Sequence, residues 1–254
     1  MSNEEDESAL INGSVVLQAD TDLEIKWFGV CDYRSVWLAM KTRVQQMLAD
    51  PNLADQLWCL HHHPVYTLGT RGLRAGLLRE VGIPIVHADR GGDVTYHGPG
   101  QLVMYPLINL HPLSLSGAGF VHELERLILQ QLEAWGITGA QADPNRPGIY
   151  VDGYKLASLG LRCKRAGVRQ VSYHGIALNV AMDLAPFLDI HPCGYAGQRM
   201  TQVSTLVQQQ RLQPPFEALS AAQPDPNTSV AQATEIVAKR FLHWYQQRKL
   251  RQGS

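Results

Sequence analysis

Apolar runs along the chain are broken by glycine, proline and aspartate, and the breaks delimit the elements. Residues 23–29, LEIKWFG, carry the β-branched and aromatic side chains of a strand. From Asp32, apolar residues at Val36, Trp37, Met40, Val44, Met47 and Leu48 recur with a helical period, which predicts a helix N-capped by Asp32 and ending before Pro51. QLWCLHHHPVYTLGT (56–70) reads as a strand that breaks at His63-Pro64 and runs into a glycine-punctuated loop. IPIVHAD (83–89) and QLVMYPLINL (101–110) are buried strands, and Phe120, Val121, Leu124, Leu127, Ile128, Leu132 and Trp135 mark a second amphipathic helix closed by Gly136. GIYVDGYKLASLGLR (148–162) is a hairpin turning at Asp152-Gly153, and a further turn at 165–167 leads into VRQVSYHGIALNVAMD. A proline- and glutamine-rich stretch at 208–229 precedes a last helix, beginning near Thr228 or Ser229, with a basic tail. The mixture predicts an α/β (α+β) fold, one mixed β-sheet flanked by helices, without internal repeats.

Composition narrows the partners. With 22 basic and 23 acidic residues the net charge is −1, so no global field draws the chain to nucleic acid or to a membrane, and a charged partner must be met by a local patch. The acidic start MSNEEDESALINGS lacks the features of a secretory signal, and no run approaches the roughly 18 apolar residues of a membrane span. A cytoplasmic location is expected, and the four cysteines, none in a CxxC pair, are expected as free thiols.

Three segments are candidates for chemistry. RGGDVTYHGPGQ (90–101) compresses polar side chains and glycines between two strands; its backbone either approaches a ligand closely or simply turns a long surface hairpin, and His97 is a ligand contact or a satisfied loop histidine. Lys155 follows the Asp152-Gly153 turn and, by period-2 counting, shares a face with Ala157, Leu159 and Leu161. Desolvation there would push its pKa down from about 10.4 toward a usable base, unless the side chain reaches solvent. Cys193, in HPCGYAG, sits between proline and glycine with His191 two residues before it, a loop thiol that is either filler or nucleophile. Cys31 and Cys59 look structural; Cys163, beside Arg162, Lys164 and Arg165, stays open as a reactive thiol. Histidines 61 to 63 alternate faces along a strand, so at most two reach one ion, and no metal is expected.

Four strings together resemble the lipoyl(octanoyl) transferase family, the octanoyl-[acyl-carrier-protein]:protein N-octanoyltransferases: HHPVYTLG (62–69), DRGGDVTYHGPGQLVMYPLINL (89–110), PGIYVDGYKLASLGLR (147–162) and SYHGIALNVAMDLAPFLDIHPCGYAG (172–197). The resemblance implies a fold like the catalytic domains of lipoate and biotin protein ligases, a nucleophile at Cys193 and a general base at Lys155. It implies substrate contacts at Arg90, Gly91, Gly92, Asp93, Val94, Thr95, Tyr96 and His97, at Ser158, Leu159 and Gly160, and at Gly175, Ile176 and Ala177. It further implies that octanoyl passes from the phosphopantetheine arm of octanoyl-acyl carrier protein to a lysine of apo-lipoyl domains in 2-oxoacid dehydrogenase E2 and glycine cleavage H proteins, the first step of endogenous protein lipoylation. It implies that neither ATP nor a metal takes part. The alternative, an ATP-dependent lipoate- or biotin-type ligase, shares the fold but needs no nucleophilic cysteine. A basic patch for the acidic carrier is expected at Arg71, Arg74, Lys164, Arg165 and Arg169. The organisation that follows is a disordered polar tail (1–14), a single catalytic domain (15–213), and a linker with C-terminal helix (214–254).

Overall fold

The computed structural model describes residues 14–19, 22–72, 77–78, 82–192, 195, 197–210, 212, 219 and 225–252. Cys193, Arg74, the tail before Ser14 and most of the 213–224 linker lie outside the described residues.

The chain enters through β1 (Val15–Ala19) and β2 (Leu23–Cys31), then α1 (Tyr33–Ala49), β3 (Asp55–His62) and β4 (Val65–Leu68). It continues through β5 (Ile85–His87), β6 (Val94–His97), β7 (Gln101–Leu107), α2 (Gly117–Ala134), β8 (Ala140–Ala142), β9 (Gly148–Val151), β10 (Tyr154–Ala166) and β11 (Arg169–Asn179). A short 3₁₀ helix (Ala185–Asp189), α3 (Val203–Gln209) and α4 (Pro226–Leu250) complete it. As expected, α1 begins at Asp32, whose carboxylate accepts from the Ser35 N–H at 2.9 Å. The last helix begins earlier than its apolar period suggests, because Asp225 caps it and Pro226 occupies the first turn.

The main sheet has eight strands in the order β1-β2-β3-β7-β11-β10-β9-β8. Only the β2–β3 pair is parallel, joined by α1; the remaining pairs are antiparallel. A second sheet, β5-β4-β6, was not expected: the chain leaves the main sheet at His63-Pro64, where proline cannot continue a ladder, and the strand after the break pairs elsewhere. Part of the glycine-rich segment is itself a strand, β6, paired with β4 from His97↔Val65 to Val94↔Leu68.

Two cores cover the two faces of the main sheet. On one, α2, α3 and α4 pack through Phe120, Leu124, Ile128, Leu132, Leu206, Val237 and Phe241 against Leu57, Leu102, Met104, Ile149, Ala157 and Leu178. On the other, α1 packs Val36, Met40 and Val44 against Trp58, Leu60, Val103, Tyr105 and Ala177. The second face is wider than one helix, and beyond α1 it is covered by the loop 89–93 and β6. The space left between them is the candidate site.

Candidate active site

A cavity lies on the α1 face of the sheet, lined by Arg90, Gly92, Asp93, Thr95 and His97 from above and by Val103, Tyr105, Ser158, Gly160, His174, Gly175 and Ala177 from below; Leu159 and Ile176 border it. Eleven of the fourteen substrate contacts expected from the sequence meet here. Strand alternation explains two of the exceptions. Thr95 and His97 face the cavity, whereas Val94 and Tyr96 point the other way into a small core with Tyr66, Leu68 and Phe187. Gly91 borders the adjoining cleft instead.

Arg90 is buried and holds the covering loop to the second sheet. Its Nε donates to Thr67 Oγ1 at 2.9 Å and Nη2 to the Thr67 carbonyl at 2.7 Å. Beneath it Gly160 passes so close to Gly91 that an added Cβ would lie 2.9 Å from the Gly91 carbonyl oxygen. Glycine in both segments lets the loop rest directly on the hairpin.

His97 has a defined tautomer. Gln101 Nε2 donates to Asn179 Oδ1 at 3.0 Å, which turns Gln101 Oε1 toward His97 Nδ1 at 2.7 Å. Nδ1 therefore carries the proton, and Nε2 is a buried acceptor without a partner among the described residues. Burial, reinforced by His62 and Arg90, pushes the imidazole pKa well below its ordinary value, so the ring is neutral.

His174, which sequence reasoning passed over, is the second buried histidine of the cavity. Its φ of 55° is unusual for a non-glycine residue in a strand. The consequence is that adjacent residues reach one carboxylate: Tyr173 Oη donates to Asp89 Oδ2 at 2.7 Å and His174 Nε2 to Asp89 Oδ1 at 3.0 Å, joined by Trp37 Nε1 at 2.7 Å. Burial alone would raise the Asp89 pKa, but the hydrogen bonds from His174, Tyr173 and Trp37 outweigh it and hold the carboxyl well below the usual range. The only signal in the sequence was position, His174 standing immediately before the Gly-Ile-Ala contacts.

Lys155 lies on the cavity face, not on the face expected. The register shifts between Lys155↔Tyr150 and Ala157↔Ile149, so β10 spends an extra residue against β9. This β-bulge defeats period-2 counting: Ala157 packs into the first core with Ile149, while Lys155 faces the same side as Tyr150, Ser158 and Ala177. The side chain is fully buried, its Nζ 3.1 Å from the Pro147 carbonyl and 5.5 Å from the Tyr150 ring centroid. Gly148, at φ 149°, makes room for it; a Cβ there would sit 2.6 Å from Lys155 Cε.

Beside the cavity runs an open cleft lined by Arg71, Gly91, Val121, Asn145, Arg146, Pro147, Leu161 and Tyr195, and it shares Gly92, Asp93, Leu159 and Gly160 with the cavity. The described neighbours of Cys193 lie at this cleft or near it: Tyr195 Oη donates to the Asn145 carbonyl at 3.4 Å, and its N–H to the Pro192 carbonyl at 3.2 Å. The segment then returns to Lys155, whose N–H donates to the Arg199 carbonyl at 2.8 Å and whose carbonyl accepts from Thr201 at 2.9 Å. The other three cysteines are ill suited to attack. Burial pushes the Cys31 thiol up to about 11 and the Cys59 thiol higher still, and it also raises Cys163 against the opposing effects of Gln170 and Arg165. His61 and His62 are engaged separately, His61 by the Gly100 N–H at 3.3 Å and His62 by Tyr105 at 2.8 Å. Of the expected basic patch, Arg71 lines the cleft, and Lys164, Arg165 and Arg169 stand at the far end of the β10–β11 hairpin.

A mixed sheet with helices on both faces is the fold of lipoate-protein ligases. Lipoate-protein ligase A bound with ATP superimposes with a TM-score of 0.58 over 87% of this chain and 86% of its own, at 10% identity. A putative lipoate protein ligase from T. acidophilum with bound lipoic acid gives 0.58 over 87% of each chain at 12% identity. These likenesses show the fold. Residues 32–222 match the lipoyl protein ligase A/B catalytic domain family. Among curated relatives, an octanoyltransferase of Alkalilimnicola ehrlichii is 44% identical over 79% of this chain and 88% of its own, and one of Vibrio campbellii 48% identical over 72% and 80%. The chain belongs to this family, and within it to the octanoyltransferases.

Proposed function

We propose that this acyltransferase moves an octanoyl group from acyl carrier protein to the ε-amine of a lysine on lipoyl domains, through a thioester on Cys193 with Lys155 as general base. The observation that carries the reading is the bulge in β10, which places a fully buried lysine on the cavity face and next to the segment that bears Cys193. In the first half-reaction the Cys193 thiol gives its proton to the Lys155 amine, and sulfur attacks the octanoyl thioester carbonyl. The C–S bond to the carrier arm breaks, and the departing thiolate takes the proton back from Lys155. While protonated, Lys155 is held by the Pro147 carbonyl and the face of Tyr150. In the second half-reaction the acceptor amine attacks the acyl-cysteine and passes a proton to Lys155, the C–S bond to Cys193 breaks, and the released sulfur takes that proton as the amide forms. One thioester replaces another at little cost, and the amide drives the second half downhill, so the reaction needs no ATP to drive it. The apolar strand faces around Val103 and Ala177 suit the eight-carbon chain, and the cleft admits both the carrier arm and the acceptor lysine.

The test is intact mass after incubation with octanoyl carrier protein in the absence of ATP. An octanoyl adduct is expected in the wild type, absent in Cys193→Ser, slowed about 10²- to 10⁴-fold in Lys155→Met, and discharged by apo-lipoyl domain. An absolute ATP requirement would convert the reading to a ligase. A cytoplasmic location accords with this substrate pair; among the described residues no helix is long and apolar enough to cross a membrane.

A further inference from the structure

Arg146 stands at the junction between the Lys155 strand and the segment that bears Cys193, and nothing in the sequence singled it out. The turn that carries it is preformed: Asp143 accepts from the Asn145 N–H at 2.9 Å and the Arg146 N–H donates to the Asp143 carbonyl at 3.2 Å. The same Asp143 grips the side chain, with Arg146 Nε 2.7 Å from Oδ2. So held, the guanidinium lies against two rings, 4.8 Å from the Tyr150 centroid and 5.8 Å from that of Tyr195. Its Nη1 also reaches Gln198 Oε1 at 3.5 Å. Gln198 in turn donates to the Gly153 carbonyl at 3.2 Å and to the Arg199 carbonyl at 2.8 Å, the latter being the group that accepts from the Lys155 N–H.

Arg146 thus touches Tyr150 on the Lys155 side and Tyr195 and Gln198 on the Cys193 side. Tyr150 is the residue paired with Lys155, and its ring lies under Lys155 Nζ. Tyr195 follows Cys193 by two positions, and Gln198 and Arg199 continue the same segment. A planar cation can lie against two aromatic faces and still donate in its own plane, which an ammonium cannot do.

We propose that Arg146 is a positioning residue for acyl transfer, locking Tyr195 and Gln198 onto the Tyr150–Lys155 pair so that the segment bearing Cys193 is held in register with Lys155. The inference rests on the proposed chemistry at Cys193 and Lys155. It assigns Arg146 to alignment, not to substrate binding, so its removal slows the acylation step without weakening donor affinity.

The experiment measures the single-turnover rate of Cys193 octanoylation across donor concentrations for the wild type, Arg146→Ala, Arg146→Lys, Tyr195→Leu and the Arg146→Ala/Tyr195→Leu double variant, with melting temperatures alongside. Expected is a saturating rate about 10- to 100-fold lower in Arg146→Ala, with the half-saturating donor concentration changed less than about threefold. Arg146→Lys recovers part of the loss, and the double variant is hardly slower than the slower single one, because both changes break the same contact. A saturating rate within about twofold of wild type, a loss confined to donor affinity, or fully additive losses would each overturn the proposal. Should Arg146→Ala fail to fold, Asp143→Asn, which leaves the guanidinium but loosens its grip, is held to the same criteria. A wild type that takes up no octanoyl on Cys193 removes the underlying function instead, which keeps the two failures apart.

Discussion

Lys155 and Tyr150 are cross-strand partners two residues from the Asp152-Gly153 turn, and they lie on the cavity face, opposite to Ala157, because β10 bulges immediately after Lys155. Without the bulge the lysine would follow Ala157 into the helix-covered core. One extra residue in the strand thus decides which face of the sheet Lys155 takes.

Gly148 should be as sensitive as the lysine it accommodates. Gly148→Ala places a methyl group 2.6 Å from Lys155 Cε in a backbone conformation that side chains rarely adopt. Moving Nζ by about 1 Å is expected to cost on the order of a hundredfold in acylation rate. Rapid-quench mass spectrometry reads the rate, and a variant acylated at the wild-type rate would show that the Lys155 tip has room to spare.

Substrate length should be set by the small residue on the cavity floor. Ala177 pairs with Val103 on one side and Ser158 on the other, so a larger side chain there rises straight into the cavity. Ala177→Leu is expected to lose octanoyl transfer by about tenfold or more while retaining a shorter acyl chain such as butanoyl, a difference of a few methylenes at about 0.8 kcal/mol each. Competition between acyl carrier proteins of different chain length measures the ratio. An unchanged preference would place the acyl chain elsewhere.

The C-terminal helix should be a structural part of the domain, not an appendage. The linker composition before it suggests separation, yet α4 buries Val230, Ala233, Val237, Phe241 and Trp244 in the main core, and Tyr245 Oη donates to the buried Asp55 carboxylate at 2.8 Å. Phe241→Ala is expected to destabilise the whole domain by about 3–5 kcal/mol, read by denaturant unfolding. A change below about 1 kcal/mol, or a separate early transition, would make the helix an independent unit.

What the sequence revealed and what it hid follow one rule. The amphipathic periods of α1 and α2 and the Asp152-Gly153 turn with φ of 50° and 81° were legible because local spacing encodes them, whereas the clustering of the glycine-rich loop with the β10 and β11 contacts was expected only through the family resemblance. The bulge at Lys155, the second sheet formed after His63-Pro64, the docking of α4, and the convergence of Tyr173 and His174 on Asp89 were not legible. Each depends on a partner distant in sequence, and single-residue departures such as a bulge or one left-handed φ leave composition unchanged while reversing which face a side chain takes.

Asp89 should make the stability of the site depend on pH in one direction. Folding lowers its pKa, so the folded state binds this proton less readily than the unfolded chain, whose aspartate titrates near 3.9. Its contribution is complete above that value and fades as the pH falls below about 4 toward the depressed folded value. Asp89→Asn keeps the shape but exchanges a charged acceptor of three hydrogen bonds for an amide with a single acceptor oxygen, and it is expected to cost about 2 kcal/mol near neutrality, discounted from the sum of three bonds because the carboxylate is partly exposed. Melting temperatures of the two proteins, measured from pH 7 downward, should lie apart at neutrality and converge below about pH 4. A gap that stays constant through that range would mean that the network depends on the shape of the side chain and not on its charge.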